Sequence, residues 1–356
     1  MGALATLPDD VAGLGCRRLA VVADEGVAAA GLLDALLATL DPDVIAAVLL
    51  VGPNPDVAQV ERAAGTSRGA ACDAVLAVGG GSALGAAKAV AVRLTNEGSI
   101  DTFEGLTRAP HRPAPTIAVP TTAGSGSEVS RVLVLHEPGR KGELVVRLEG
   151  VEPHIAILDG ALLRGLPRAP MVYAGLDALS HSLESLWARR RTSITAALAT
   201  AAATTILRCL PLVAEGCTTG TNANGENDQL LQDLLEASCM ANMACGSTGL
   251  TLVHALSGAP AVNLPHGMQN GILLPHVARF NATVSDPGTS VLVERIPQLY
   301  RDLAFKPVFP EGLTADQAVA MITASKALGF RSNNRRECTD ADLEEILLAA
   351  GAKQDG

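Results

Sequence analysis

The 356-residue sequence predicts an α/β domain built on a parallel sheet, followed by an all-α domain. Three observations carry this. Over residues 1–160 short Val/Ala/Leu runs alternate with helical patterns, as in strand–helix–strand units whose sheet is covered on both faces. From 161 to 356 long helix-favouring stretches take their place. Aromatic residues are only 2% of the chain against 48% hydrophobic, so the core is packed from small aliphatics, which suits buried parallel strands and close helices. The length supports two cores.

RRLAVVADEG (17–26) reads as a buried strand ending in a polar turn, GLLDALLATL (31–40) as an amphipathic helix, and DVIAAVLLVG (43–52) as another apolar strand. DVAQVERAAGTSRGA (56–70) is helical. CDAVLAVGGGS (72–82) is a strand entering a glycine turn, and SALGAAKAVAVRLTN (82–96) the helix that follows. PTIAVPTTAGSGSEVS (115–130) adds a strand and a hydroxyl-rich loop. In the second half, 192–210, 227–244 and 254–281 read as helices, with breaks at 220–227, 285–290 and 306–312.

The net charge of −10 argues against nucleic acid or an anionic membrane as partner. No run approaches the ~18 uncharged apolar residues of a membrane span, and the opening MGALATLPDDVAGLG has no basic region before an apolar one, so no secretory signal is expected. The seven cysteines are scattered and never form CxxC. They are expected to be mostly buried and reduced, in a cytoplasmic protein.

Asp177 and His181, in GLDALSHSLE (175–184), are four apart in a helical stretch and share one face. A carboxylate beside an imidazole suits a divalent transition metal or an ordinary polar pairing. His254 and His266, in VHALSGAPAVNLPHG (253–267), would complete a four-ligand shell. Gly79-Gly80-Gly81-Ser82 opens a helix after a strand; it is a tight connection or a phosphate site, and it is not a GxGxxG fingerprint. Asp24 caps a helix or accepts from a ribose diol. Thr121, Thr122 and Ser125 line a loop that is either plain surface or a holder of phosphate and ribose oxygens.

Together GGGSALGAAKA, VPTTAGSGSEVS, GLDALSHSLES and VHALSGAPAVNLPHGMQNGILLPHVARFN resemble, in order and spacing, the iron-containing (group III) alcohol dehydrogenases over about residues 15–285. The resemblance implies the architecture shared with dehydroquinate synthase: a nucleotide-binding domain, 1–160, and a helical metal and substrate domain, 161–356. It implies interconversion of an alcohol with an aldehyde or ketone; Gly258 and the shortened segment before His266, which should reshape the pocket, make a functionalised carbonyl the expected substrate. A metal would polarise the carbonyl while a dinucleotide delivers hydride. By the same likeness Asp177, His181, His254 and His266 hold Fe²⁺, or Zn²⁺. Gly79, Gly80, Gly81 and Ser82 meet the pyrophosphate, Thr121, Thr122 and Ser125 the rest of the cofactor, and Asp24 favours NAD over NADP. A homodimer is expected, and His276 is structural.

Two departures stand out. Gly85 replaces the family's usual acid, as in maleylacetate reductases, yet Asp177, which those enzymes generally lack, is kept. Gly258 replaces a histidine that helps relay the proton, in a segment shortened before His266. A maleylacetate-reductase-like enzyme and a dehydroquinate-synthase-like lyase are the alternatives. Arg131 and Arg189–Arg191 are candidate holders of an anionic substrate tail, or solvated basic groups.

Overall fold

A computed structural model describes residues 1–140, 143–259, 262–326 and 329–353. The chain forms two compact units. The first comprises 1–122, 126–166 and 222–235; the second 123–125, 167–221 and 236–356.

In the first unit a short helix α1 (Leu7–Gly13) precedes β1 (Leu19–Asp24), α2 (Glu25–Ala29), α3 (Leu32–Leu37), β2 (Ile45–Val51), α4 (Val57–Gly69), β3 (Ala74–Gly79), α5 (Gly81–Thr95) and β4 (Thr116–Pro120). After β4 come β5 (Val132–Leu135), β6 (Leu144–Arg147) and β7 (Ile155–Ala156). Five strands make one sheet in the order β2-β1-β3-β4-β7, parallel at every pairing. β1, β3 and β4 are almost wholly buried, which is why they read as continuous apolar runs. β2 is the apolar strand expected there and forms a sheet edge, with Val48 and Leu50 exposed. The antiparallel pair β5–β6 was not foreseen. Its inward residues Leu133, Leu135, Leu144 and Val146 alternate with exposed or half-buried ones and join the core around α5.

The chain moves from β1 outward to β2, then crosses back to β3 on the other side of β1. The order therefore reverses between β1 and β3. In open α/β sheets the crevice at such a switch point, beyond the carboxyl ends of the strands, is where ligands bind.

Residues 222–235 pack with the first unit because Gln232 is built into it. Its side chain accepts from the N–H of Gly160 at 2.8 Å and donates to the carbonyl of Leu158 at 3.1 Å. Gly160 has no room for a Cβ against the backbone at Leu231–Gln232.

The second unit contains α6 (Arg168–Trp187), α7 (Ser193–Thr219), most of α8 (Asp228–Thr248), α9 (Leu252–Ser257), α10 (His266–Phe280) and five shorter helices from α11 (Pro287–Glu294) to α15 (Asp340–Ala349). Against the expectation from the sequence, α7 is long and apolar enough to cross a membrane, with mean hydropathy 1.6 over its most apolar stretch. Its Ala199, Ala202, Ile206, Leu210 and Val213 are buried within the helical unit. Of the seven cysteines, expected to be mostly buried, only Cys209 and Cys239 are.

Candidate metal centre and dinucleotide turn

α6 starts after Pro167, which suits a helix N-terminus, and runs twenty residues without a break. Asp177 and His181 lie one turn apart at its centre, both buried. Thr251 precedes α9 and places His254 in its first turn, while His266 is the first residue of α10. The three imidazoles converge on a single carboxylate oxygen. Asp177 Oδ1 is 3.9 Å from His181 Nε2, 3.5 Å from His254 Nε2 and 3.9 Å from His266 Nε2. The His181 and His254 rings stack with centroids 4.6 Å apart. His266 is the open side, its side chain 44% exposed against 9% or less for the other three.

Glycines let the helices come this close. A Cβ at Gly267 would overlap the Tyr173 carbonyl, and one at Gly271 would lie 2.6 Å from Leu176 Cδ1. Both glycines are on α10 and both neighbours on α6, so their absence of side chains seats His266 over Asp177.

Two residues of the cluster were missed by the sequence reading. Glu184 lies seven residues after Asp177 and is fully buried. Its Oε1 accepts from the N–H groups of Thr251 (3.0 Å) and Val253 (2.8 Å) and from the Thr251 hydroxyl (2.9 Å), while Oε2 meets His254 Nδ1. The spacing 177, 181, 184 on one helix face was the available signal. Asn270, also fully buried, points its Nδ2 into the centre of the cluster, 2.7 Å from Asp177 Oδ1, 3.0 Å from His254 Nε2 and 3.1 Å from His266 Nε2.

Burial opposes charge on His254, but the Glu184 carboxylate, with Asp177, outweighs it and raises this imidazole to about 10. Burial dominates at His181 and lowers it to about 4. Burial works against the Asp177 carboxylate, yet the surrounding imidazoles hold it well below the usual range. A metal-free cluster thus keeps one carboxylate charged amid imidazoles of contrasting basicity.

The donor set fits a divalent cation. It offers three imidazoles and one carboxylate, and a second carboxylate fixes one ring from behind, as around protein-bound metals generally. His181 Nδ1 and Asn270 Oδ1 are buried without hydrogen-bond partners. An amide nitrogen has no lone pair to offer a metal, so Asn270 would have to turn or withdraw when the centre is filled.

In the first unit the candidate residues assemble where the sheet order reverses. Asp24 ends β1; its Oδ1 accepts from Val27 N at 2.7 Å, capping α2, and its Oδ2 from Gly80 N at 3.1 Å. Gly79 adopts φ 145°, and a Cβ there would overlap the Asp24 carboxylate. α5 begins at Gly81 with no side-chain cap, so the N–H groups of its first turn, at Gly81, Ser82 and Ala83, have no carbonyl within the helix. A Cβ on Gly80 would sit 3.3 Å from Thr122 Oγ1, and Thr121 N donates to Gly79 O at 3.0 Å. Asn54 is a further residue at this turn: it has φ 52° in Pro-Asn-Pro, and its N–H donates to Ser82 Oγ at 3.1 Å.

Ser125 belongs to the short piece, 123–125, that packs with the second unit. Beside it Gly124 lies so close to Ala174 that a Cβ would be 2.8 Å from Ala174 Cα, and its carbonyl accepts from Asn242 Nδ2 at 2.9 Å. His276 is bonded through Nε2 to Pro307 O at 2.8 Å and is no part of the cluster. Gly258 follows α9 as its C-cap, and the shortened segment includes residues 260 and 261, which lie outside the described residues.

Three of the candidate arginines have partners of their own. Arg189 lies beyond the end of α6 at Trp187, and its side chain engages Asn334 O and Glu337. Arg191 pairs with Asp286, and Arg131 with Glu152 at 3.4 Å.

A parallel sheet with a phosphate-type turn at its switch point, joined to a helical unit bearing a three-histidine, one-carboxylate cluster, defines a metal-dependent oxidoreductase of alcohols and carbonyls. Residues 1–160 match the family of iron-containing alcohol dehydrogenases, and residues 171–354 match the C-terminal region of the Fe-containing alcohol dehydrogenase family. The chain belongs to this family. It is 34% identical over 350 residues to the probable alcohol dehydrogenase EutG of Escherichia coli (strain K12), covering 95% of this chain and 84% of the relative. It is 32% identical over 366 residues to the 4-hydroxybutyrate dehydrogenase of Cupriavidus necator, covering 98% and 89%. The structure of sulfoacetaldehyde reductase from Bifidobacterium kashiwanohense in complex with NAD⁺ is similar at a TM-score of 0.86 and 26% identity, over 99% of this chain and 96% of that one. The similarities favour a dehydrogenase over the lyase and maleylacetate-reductase alternatives.

Proposed function

We propose that Asp177, His181, His254 and His266 hold one divalent metal, Fe²⁺ before Zn²⁺, and that the enzyme reduces a functionalised aldehyde or ketone with NADH. The convergence of three imidazoles on Asp177 Oδ1 carries this reading. When bound, such a metal supplies Lewis acidity toward a carbonyl oxygen, and the dinucleotide supplies hydride. The chain's own contribution is positional. Glu184 orients His254, and Asp177 brings the one carboxylate among the proposed ligands. The exposed side of the cluster, at His266, is where a carbonyl would enter.

Gly79, Gly80, Gly81 and Ser82 would receive the pyrophosphate on the uncapped start of α5, with Thr121, Thr122 and Ser125 contributing hydroxyls. Asp24 supports NAD over NADP: its carboxylate stands fixed at the turn, where a 2′-phosphate would be repelled. The names of the relatives, a 4-hydroxybutyrate dehydrogenase and a sulfoacetaldehyde reductase, support a substrate with a polar or acidic tail. The enzyme is read as a cytoplasmic homodimer.

The deciding experiment measures metal content and NADH oxidation on a panel of neutral and acidic aldehydes of equal length. One metal per chain with turnover of an aldehyde supports the reading. A protein that takes up neither iron nor zinc, or that turns over no carbonyl with either dinucleotide, overturns it.

A further inference from the structure

Lys88 is in the middle of α5 and has no exposed surface. Its Nζ lies 3.0 Å from Ser127 O, 3.2 Å from Ser130 O and 2.6 Å from Val132 O, three backbone carbonyls of the segment that follows β4. An ammonium carries three N–H donors and no acceptor, so three carbonyls use it completely; a neutral amine has only two donors. Burial pushes the amine down to about 7, with the Glu128 carboxylate acting against the shift. Glu128 is buried nearby and is itself pushed up to about 7 by its surroundings, with Lys88 again opposing. Matching three donors to three acceptors selects the charged lysine, and the fields of the Glu128 and Glu152 carboxylates favour the same form.

The helix that carries Lys88 also carries Gly81 and Ser82 at its start, two turns earlier. The segment that Lys88 holds begins with Thr121 and Thr122, and its near end is tied to the turn by the bond from Thr121 N to Gly79 O. One helix therefore presents the phosphate-type turn at its tip and grips the far end of the hydroxyl-rich loop from its centre. Hydroxyls on a Gly/Ser-rich loop recognise a ligand well only when the loop is fixed beforehand, because ordering it on binding costs affinity.

We propose that Lys88, compensated by Glu128, is a positioning residue for the dinucleotide: it pre-sets the 121–132 loop against the α5 turn and touches neither cofactor nor substrate. The inference rests on the dinucleotide reading above, and the test separates the two.

In the metal-loaded protein, Lys88→Met removes the charge with little change in length, and Glu128→Gln removes the compensating carboxylate at constant shape. NADH affinity is measured from nicotinamide fluorescence, together with KM, kcat, metal content and amide hydrogen exchange. The expected result for Lys88→Met is a rise of about tenfold or more in the Kd and KM for NADH, as expected for a lost loop anchor. Saturated kcat and metal content should stay near wild type, with faster exchange confined to 121–132. Glu128→Gln should shift the same quantities in the same direction by less, and it carries the test alone if Lys88→Met does not fold. Unchanged NADH affinity in the folded variants overturns the proposal, as does a loss in kcat with Kd unaltered. A wild-type protein that binds no dinucleotide refutes the cofactor reading instead.

Discussion

Glu184 stands behind His254: Oε2 meets the ring at Nδ1, while Oε1 takes the N–H groups of Thr251 and Val253 at the start of α9. One carboxylate thus fixes both the ring's tautomer and the helix end that bears it, leaving Nε2 toward Asp177. Loss of such supporting contacts typically lowers metal affinity 10–100-fold. Glu184→Gln is therefore expected to weaken metal binding by about that factor in competition with a chromophoric chelator. An affinity equal to wild type would remove Glu184 from the account.

His266→Ala and Asp177→Asn are each expected to lower metal stoichiometry and activity together. In the wild type a chelator should abolish activity, and added Fe²⁺ or Zn²⁺ should restore it. Full metal occupancy in both His254→Ala and His266→Ala would show that the ligands lie elsewhere.

Asn270 bridges Asp177, His254 and His266 through Nδ2. With metal absent, Asn270→Ala takes a donor from the buried Asp177 carboxylate, at a cost of about 1–3 kcal/mol. Calorimetry should show the metal-free variant melting well below metal-free wild type, with a smaller gap between the loaded proteins. Equal losses in both states would mean that Asn270 is ordinary core packing.

Asp24 has two local duties besides any selectivity, and this shapes its test. Asp24→Asn keeps an oxygen for Val27 N but offers no second acceptor to Gly80, and it removes the charge. Its ratio of kcat/KM for NADH over NADPH should fall relative to wild type. A wild type that uses NADPH as well as NADH contradicts the assignment at the outset.

Gly267→Ala places a methyl against the Tyr173 carbonyl, and backbone does not yield cheaply. Pushing α10 off α6 is expected to cost about 1–3 kcal/mol and, because His266 rides on the same turn, to weaken metal binding as well. Denaturant unfolding and chelator competition on one preparation check both; stability lost without any change in affinity would separate the glycine from the cluster.

The alternation in residues 1–160 was legible because each buried strand is a short apolar run closed by a turn. That β2 lies at the edge was not legible, because a sheet edge and a sheet centre can carry the same apolar letters. The β5–β6 pair has a period-2 pattern, but two four-residue strands are too brief to stand out from loop. The metal candidates could be read from spacing and likeness, and Glu184 shares their helix face. Asn270 could not, since its approach to Asp177 depends on how closely α10 crosses α6. Gln232, which ties 222–235 to the first unit, was hidden for the same reason: its partners at 158 and 160 are some seventy residues away.

Asp177 and His181 come from α6, His254 from α9 and His266 from α10, so a cation held by all four is also a cross-link among three helices. An agent that binds only the folded chain stabilises it by about 4 kcal/mol at a thousand times its Kd. That is a large share of the ~5–15 kcal/mol that keeps a typical protein folded. Abundance of the enzyme in the cell would then follow metal supply: a chain deprived of its cation is not merely idle but closer to unfolding, and so is exposed to clearance by proteases.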